Sequence, residues 1–182
     1  MPGFLDVVAL VSRGLAVFPL PQGSKAAGPG WQRTCTSDLA VLARSWPEGA
    51  NIGVGCRASG IAGLDLDRHS GGPDGVTAFA RLCGRLNATW PQTFTVATPN
   101  RGLHLYFRVP PDLSVASMIG WLPGVDIRGP GQRLGGYLAG PGSVVAGRRY
   151  EVAADIPIAG LPEWLGDLLA VAGGPPERPV AR

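Results

Sequence analysis

A chain of 182 residues that is 45% hydrophobic and 16% charged has the composition of one globular domain with a sizeable core, which excludes a disordered polyelectrolyte. Its 28 glycines and 18 prolines argue for short elements joined by tight turns and against a helical bundle. The formal charge of +3 suits a polyanion partner but is too small to argue for one.

No apolar run is long enough to cross a bilayer, and no basic segment precedes the apolar N-terminus. Neither a membrane span nor a signal peptide is expected, and the cytoplasm is the expected compartment. Cys35, Cys56 and Cys83 are widely spaced and odd in number, which disfavours both a disulfide framework and a zinc site.

In chain order, Phe4, Val7, Val8 and Val11 recur at helical spacing, with Gly14 as the stop. Leu15 to Leu20 reads as a strand, and Gly23 to Gly30 as a loop. Thr36 or Ser37 is the expected cap of a second helix that carries Leu39, Leu42, Ala43 and Trp46 and ends at Pro47. Strands follow at Ile52–Val54 and Ile61–Asp67. A Gly-rich turn leads to a third helix with Val76, Phe79, Ala80 and Cys83 on one face. Phe94–Thr98 and Leu103–Val109 read as strands around a turn, and Val125–Arg128 as another. Tyr137–Ala139 and Ser143–Val145 are expected to pair, with Tyr150–Val152 beside them. Leu161–Ala172 reads as a last helix burying Trp164, Leu165, Leu168 and Leu169. Residues 173–182, rich in Pro, Gly and Arg, are expected to form a disordered tail. Helices mixed irregularly with short strands imply an α+β domain with a mixed or antiparallel sheet, spanning 1–172.

Side chains alternate across a strand. Ala62, Leu64 and Leu66 share one face, opposite Asp65 and Asp67. Leu103, Leu105 and Phe107 share a face opposite His104, Tyr106 and Arg108. Val125 and Ile127 lie opposite Asp126 and Arg128. Any one of these strands, taken singly, reads more readily as a sheet with a solvated face. Taken together, three aspartates in strand interiors need a reason, because Asp is depleted there. Clustered carboxylates repel, and a divalent cation relieves the repulsion. Hard oxygen donors without Cys favour Mg²⁺ or Mn²⁺, two of which suit phosphoryl chemistry.

The order D-x-D (Asp65, Asp67), G-x-H (Gly102, His104) and D-x-R-G (Asp126, Arg128, Gly129) resembles the archaeo-eukaryotic primase superfamily. More narrowly it is similar to the bifunctional DNA primase/polymerase (prim-pol) N-terminal domain. The likeness covers about residues 5–153 and includes G-L-A-V-F-P-L from Gly14, G-S-K from Gly23, W-P-E-G-A-N-I-G-V from Trp46 and G-Y-L-A-G-P-G-S from Gly136. The resemblance implies an RRM-like sheet with packed helices plus a smaller N-terminal α/β unit, the two interleaved in one catalytic domain. It also implies that Asp65, Asp67 and Asp126 hold two divalent metals, and that His104 and Arg128 contact the phosphates of the incoming nucleotide. The implied reaction is template-directed nucleotide addition that releases pyrophosphate, with dNTP or NTP substrates and a single-stranded DNA template and primer, in the replication of a plasmid, phage or other mobile element. Neither a P-loop nor ligands for a zinc-binding stem occur in the chain. Polymerase-type transfer is therefore expected over autonomous priming, with any helicase supplied separately.

Several residues carry two readings. Lys25 is either a phosphate contact or an ordinary loop lysine, and Arg101 either a phosphate contact or a solvated turn residue. Asn51 either touches nucleotide or ends a helix-to-strand turn, the second being favoured. Tyr106 reads as packing in preference to stacking on a base. Arg148 and Arg149 are candidates for a nucleic-acid backbone. A nucleotide- or DNA-binding module without catalysis and a two-metal phosphoesterase are the alternative functions.

Overall fold

In the computed structural model, which describes residues 3–131 and 135–172, the apolar runs become strands of two sheets. The tail from Gly173 to Arg182 lies outside the described residues. At the centre of the larger, seven-stranded sheet is β3 (Ile61–Leu66), antiparallel to β5 (Leu103–Arg108) on one side and to β7 (Val125–Arg128) on the other. Beyond β5 come β4 (Thr95–Ala97) and β11 (Glu151–Ala154), and β12 (Ala159–Gly160) runs parallel to the end of β5. Beyond β7, β6 (Met118–Leu122) forms the other edge. A second sheet sets β2 (Asn51–Gly55) between β1 (Val17–Leu20) and β8 (Tyr137–Ala139), all antiparallel. This is the expected α+β class, with a large sheet and a smaller unit built mainly from the N-terminal part.

The helices start and stop for local reasons. α1 (Phe4–Ser12) ends where Gly14 adopts a left-handed φ of +73°, and the Gly14 N–H donates to the Val11 carbonyl. α2 (Leu39–Ser45) is capped by Asp38, not by Thr36 or Ser37. The Asp38 carboxylate accepts from the N–H groups of Ala40 and Val41 at 2.8 and 3.2 Å, while Thr36 bridges to Val17 instead. α3 (Cys56–Ser59) is a single turn linking β2 to β3, too short to show a periodicity. α4 (Gly75–Arg85) is capped by Asp74, which accepts from the Thr77 N–H at 2.9 Å. α5 (Glu163–Ala172) closes the described chain. Among the described residues, no helix is long and apolar enough to cross a membrane.

The expected pairing of Tyr137–Ala139 with Ser143–Val145 is not found. Tyr137–Ala139 fills the free edge of β2, and β9 (Val144–Val145) instead forms a hairpin with β10 (Arg148–Arg149). Ser143 is drawn away from its neighbour strand because its hydroxyl accepts from the buried Ile52 N–H at 2.9 Å. The strand that follows, β11, pairs with β4.

Apolar groups pack on both faces of the large sheet. On one, Leu64, Leu66, Leu105, Phe107 and Ile127 meet Phe79 and Leu82 of α4 and Leu165 and Leu169 of α5. On the other, Ile61, Val96 and Tyr106 meet Val7, Leu10, Val54 and Leu138 of the N-terminal helix and the second sheet. The face that carries the aspartates is therefore roofed over part of its area, where the alternation pattern left open a fully solvated face.

Gly63 makes the roof possible. It lies two residues before Asp65 on the same face, and a Cβ there would sit 2.2 Å from Leu138 Cδ1. The space that a side chain would fill is occupied by β8, which brings the second sheet down beside the aspartates. Gly63→Ala is expected to force the sheets apart and lower stability by about 1–3 kcal/mol, the usual cost of overpacking. The change should appear as a lower urea midpoint at unchanged slope.

Candidate active site

Register places the charged residues in one row. Asp65 of β3 stands opposite His104 of β5 and opposite Asp126 of β7. Asp67 follows two residues later, just beyond the end of β3. Its N–H donates to the Gly124 carbonyl at 2.8 Å, and its carbonyl accepts from the Gly75 N–H at 2.7 Å. The β6–β7 turn and the start of α4 thus hold Asp67 on the row although the ladder has ended. That close approach requires glycine, since a Cβ on Gly75 would lie 2.0 Å from the Gly124 oxygen.

Carboxylate oxygens of Asp65, Asp67 and Asp126 lie within 4.8 Å of one another. Asp65 is the most buried, and its Oδ1 has no hydrogen-bond partner among the described residues. His104 Nε2 is 3.2 Å from that oxygen, near enough to act through charge but not aligned as a hydrogen bond. Burial pushes the Asp65 carboxyl up, but the adjacent His104 ring, with Arg128 and Lys25 farther off, outweighs it and holds the group below the usual carboxylate range. Asp67 goes the other way, raised by burial and by the charge of Asp65. Asp126 is held at both oxygens, by the Gly120 N–H at 2.7 Å and by Arg128 at 2.8 Å. A divalent cation fits this set: three hard oxygen donors close enough to repel one another, one of them on a largely buried side chain.

The row opens into two cavities that share Lys25, Asp65, His104 and Tyr150. The larger, about 480 Å³, also receives Arg128 and is walled at its other side by Trp31 and Tyr137. The smaller, about 140 Å³, includes Asp67, the Thr98–Asn100 turn and Arg148. Lys25 is the sole lysine of the sequence. Its loop is fixed from two sides: Asn51 Nδ2 donates to the Ser24 carbonyl at 2.9 Å, and the Tyr137 hydroxyl donates to the Lys25 carbonyl at 3.0 Å.

The structure thus gathers Asp65, Asp67, Asp126, His104, Arg128 and Lys25, and sets Arg148 at the rim, where it donates to the Pro99 carbonyl at 3.2 Å. Three other candidates lie elsewhere. Asn51 is buried away from both cavities, bonded to the Ser24 carbonyl and to both the N–H and carbonyl of Val144, so it fastens two loops. Arg101 is an exposed turn residue at φ +64° that lines neither cavity. Arg149 pairs with Asp6 at 2.9 Å, on α1. Arg108, which alternation puts on the face of His104, lies at the far end of β5 and donates to the carbonyls of Arg13, Ser59 and Gly14. Tyr106 is fully buried against Phe94, in keeping with packing. Trp31, Tyr137 and Tyr150 went unnoticed in the sequence as wall residues, because loops and short strands bring them in without any periodic signal.

Asn51→Ala is expected to cost about 1–3 kcal/mol, the penalty for leaving buried backbone groups without partners. A drop in the thermal midpoint would register it, with the carboxylate cluster left in place.

Comparison with curated proteins finds no match. The family model described as bifunctional DNA primase/polymerase, N-terminal, matches residues 7–164, a span that contains every charged residue of the row and both cavities. The chain belongs to the prim-pol family.

Proposed function

We propose that the domain carries out metal-dependent, template-directed nucleotidyl transfer, adding dNTP or NTP to a primer on single-stranded DNA and releasing pyrophosphate. The observation that carries this reading is the three-aspartate cluster at the edge of a cavity of about 480 Å³ that also receives Lys25, His104 and Arg128. Anionic donors beside cations in one chamber suit a metal–triphosphate complex, whose phosphates need neutralisation and positioning more than covalent catalysis. Asp65, Asp67 and Asp126 would hold Mg²⁺ or Mn²⁺, which when bound activates the attacking hydroxyl and neutralises the leaving oxygen.

The chain's own groups divide the remaining work. Lys25, from the loop after β1, and Arg128, from β7, supply positive charge to the phosphates. His104 is buried between Asp65 and Tyr150, with Nε2 toward Asp65 and Nδ1 without a hydrogen-bond partner among the described residues, so the ring can offer a nitrogen to a ligand. Arg148 at the rim of the smaller cavity suits a template or primer phosphate. Replication of a plasmid, phage or other mobile element, with a helicase as a separate partner, is the setting this activity fits.

Primer extension with labelled dNTP tests the reading. Wild-type protein is expected to lengthen the primer and release pyrophosphate. Chelation should abolish extension, and added Mg²⁺ or Mn²⁺ should restore it. Asp65→Asn, Asp67→Asn and Asp126→Asn should each lower the rate by roughly 100-fold or more, the scale of a lost transition-state charge contact. Release of inorganic phosphate or nucleoside monophosphate would identify a phosphoesterase instead, and binding without turnover would identify a recruiting module.

A further inference from the structure

The aromatic side of the larger cavity is built in layers. Phe18 lies over Gly53, where a Cβ would come 2.3 Å from the ring, and is fully buried. Trp31 stacks on Phe18 with centroids 4.4 Å apart and planes at 23°. Tyr137 meets both rings edgewise, at 5.4 and 5.1 Å. Phe18 is sealed, while Trp31 and Tyr137 are half-buried and line the cavity. A rigid aromatic surface at a cavity whose charged residues suit phosphates is chemically matched to the other part of a nucleotide, the planar base.

Tyr137 also connects this surface to the cation. Its hydroxyl donates to the Lys25 carbonyl at 3.0 Å and accepts from the Ala27 N–H at 2.9 Å, gripping the main chain on either side of Ala26, directly after Lys25. Lys25 lies in a Gly-rich segment outside any helix or strand, so such bonds hold the main chain from which its side chain lines the cavity.

We propose that Tyr137 joins the two ends of the nucleotide cavity: its ring, with Trp31, forms the surface on which the base stacks, and its hydroxyl positions Lys25 for the phosphates. The inference rests on the nucleotide reading given under the proposed function. It makes Trp31 a ligand contact and gives Tyr137 a positioning role through Lys25.

Calorimetric titration with a nucleoside triphosphate, and separately with inorganic tripolyphosphate, both in Mg²⁺, tests it. Trp31→Leu should weaken the nucleoside triphosphate by roughly 5- to 100-fold, the range of one lost stacking contact, and leave tripolyphosphate within about twofold of wild type. Trp31→Phe, which keeps a ring, should recover most of the loss. Tyr137→Phe keeps the ring but frees the loop, so it should weaken both ligands. In a Lys25→Ala background it should have no further effect.

Equal loss of both ligands in Trp31→Leu, no loss of either, or additive effects of Tyr137→Phe and Lys25→Ala would each overturn the proposal. So would a wild type that binds neither ligand. The two readings separate cleanly. A wild type that shows this pattern but does not extend primers keeps the base surface and loses the polymerase. One that extends primers without the pattern does the reverse.

Discussion

Like charges confined to a small space govern this structure. Three carboxylate oxygens within 4.8 Å of one another would, if all were charged, repel by about 3.5 kcal/mol or more per pair at an effective dielectric constant near 20 before any partner is counted. A domain of this size is stable by only about 5–15 kcal/mol in total, so repulsion on that scale has to be offset by neighbouring groups. The protein answers it group by group. His104 stands against Asp65, Arg128 and the Gly120 N–H hold Asp126, and Asp67 is left with the highest proton affinity of those shifted. What these partners leave uncompensated is the part a cation would take up.

The rest of the fold follows from having to keep those charges both close and accessible. Antiparallel pairing on both sides of β3 puts Asp65 opposite two strands at once, which no helix could do. α4 and α5 bury the opposite face and stiffen the sheet. The second sheet then covers the end of the charged face nearest Ile61 and Tyr106 but stops short of Asp65, and Gly63 marks where the two sheets meet. The chamber is the gap left between them.

Much of this was legible in residue order. Alternation put Asp65, His104 and Asp126 each on the polar face of its own strand, because a period of two is a property of the strand itself, and the shared sheet turns those into a common face. The motif order added the family. What could not be read was whatever depends on distant partners. Tyr137–Ala139 looks like half of a hairpin with Ser143–Val145, yet it pairs with β2, more than eighty positions earlier, because β2 has an open edge to fill. Arg108 shares the strand face of His104, and Asn51 carries a nucleotide reading beside the favoured turn reading, but carbonyls from distant parts of the chain claim the donors of both. Trp31 opens a single 3-10 turn after the loop at 23–30, too short for any periodicity, so nothing marked it as a wall.

The basic side chains of this protein are almost all guanidinium groups, which stay charged and are chemically inert to most acylating reagents. The one side-chain amine stands in the chamber itself. Amine-directed chemistry at mild pH is therefore confined to Lys25 and the chain terminus, and a reporter placed on Lys25 would sense occupancy from inside the site without any residue having to be engineered.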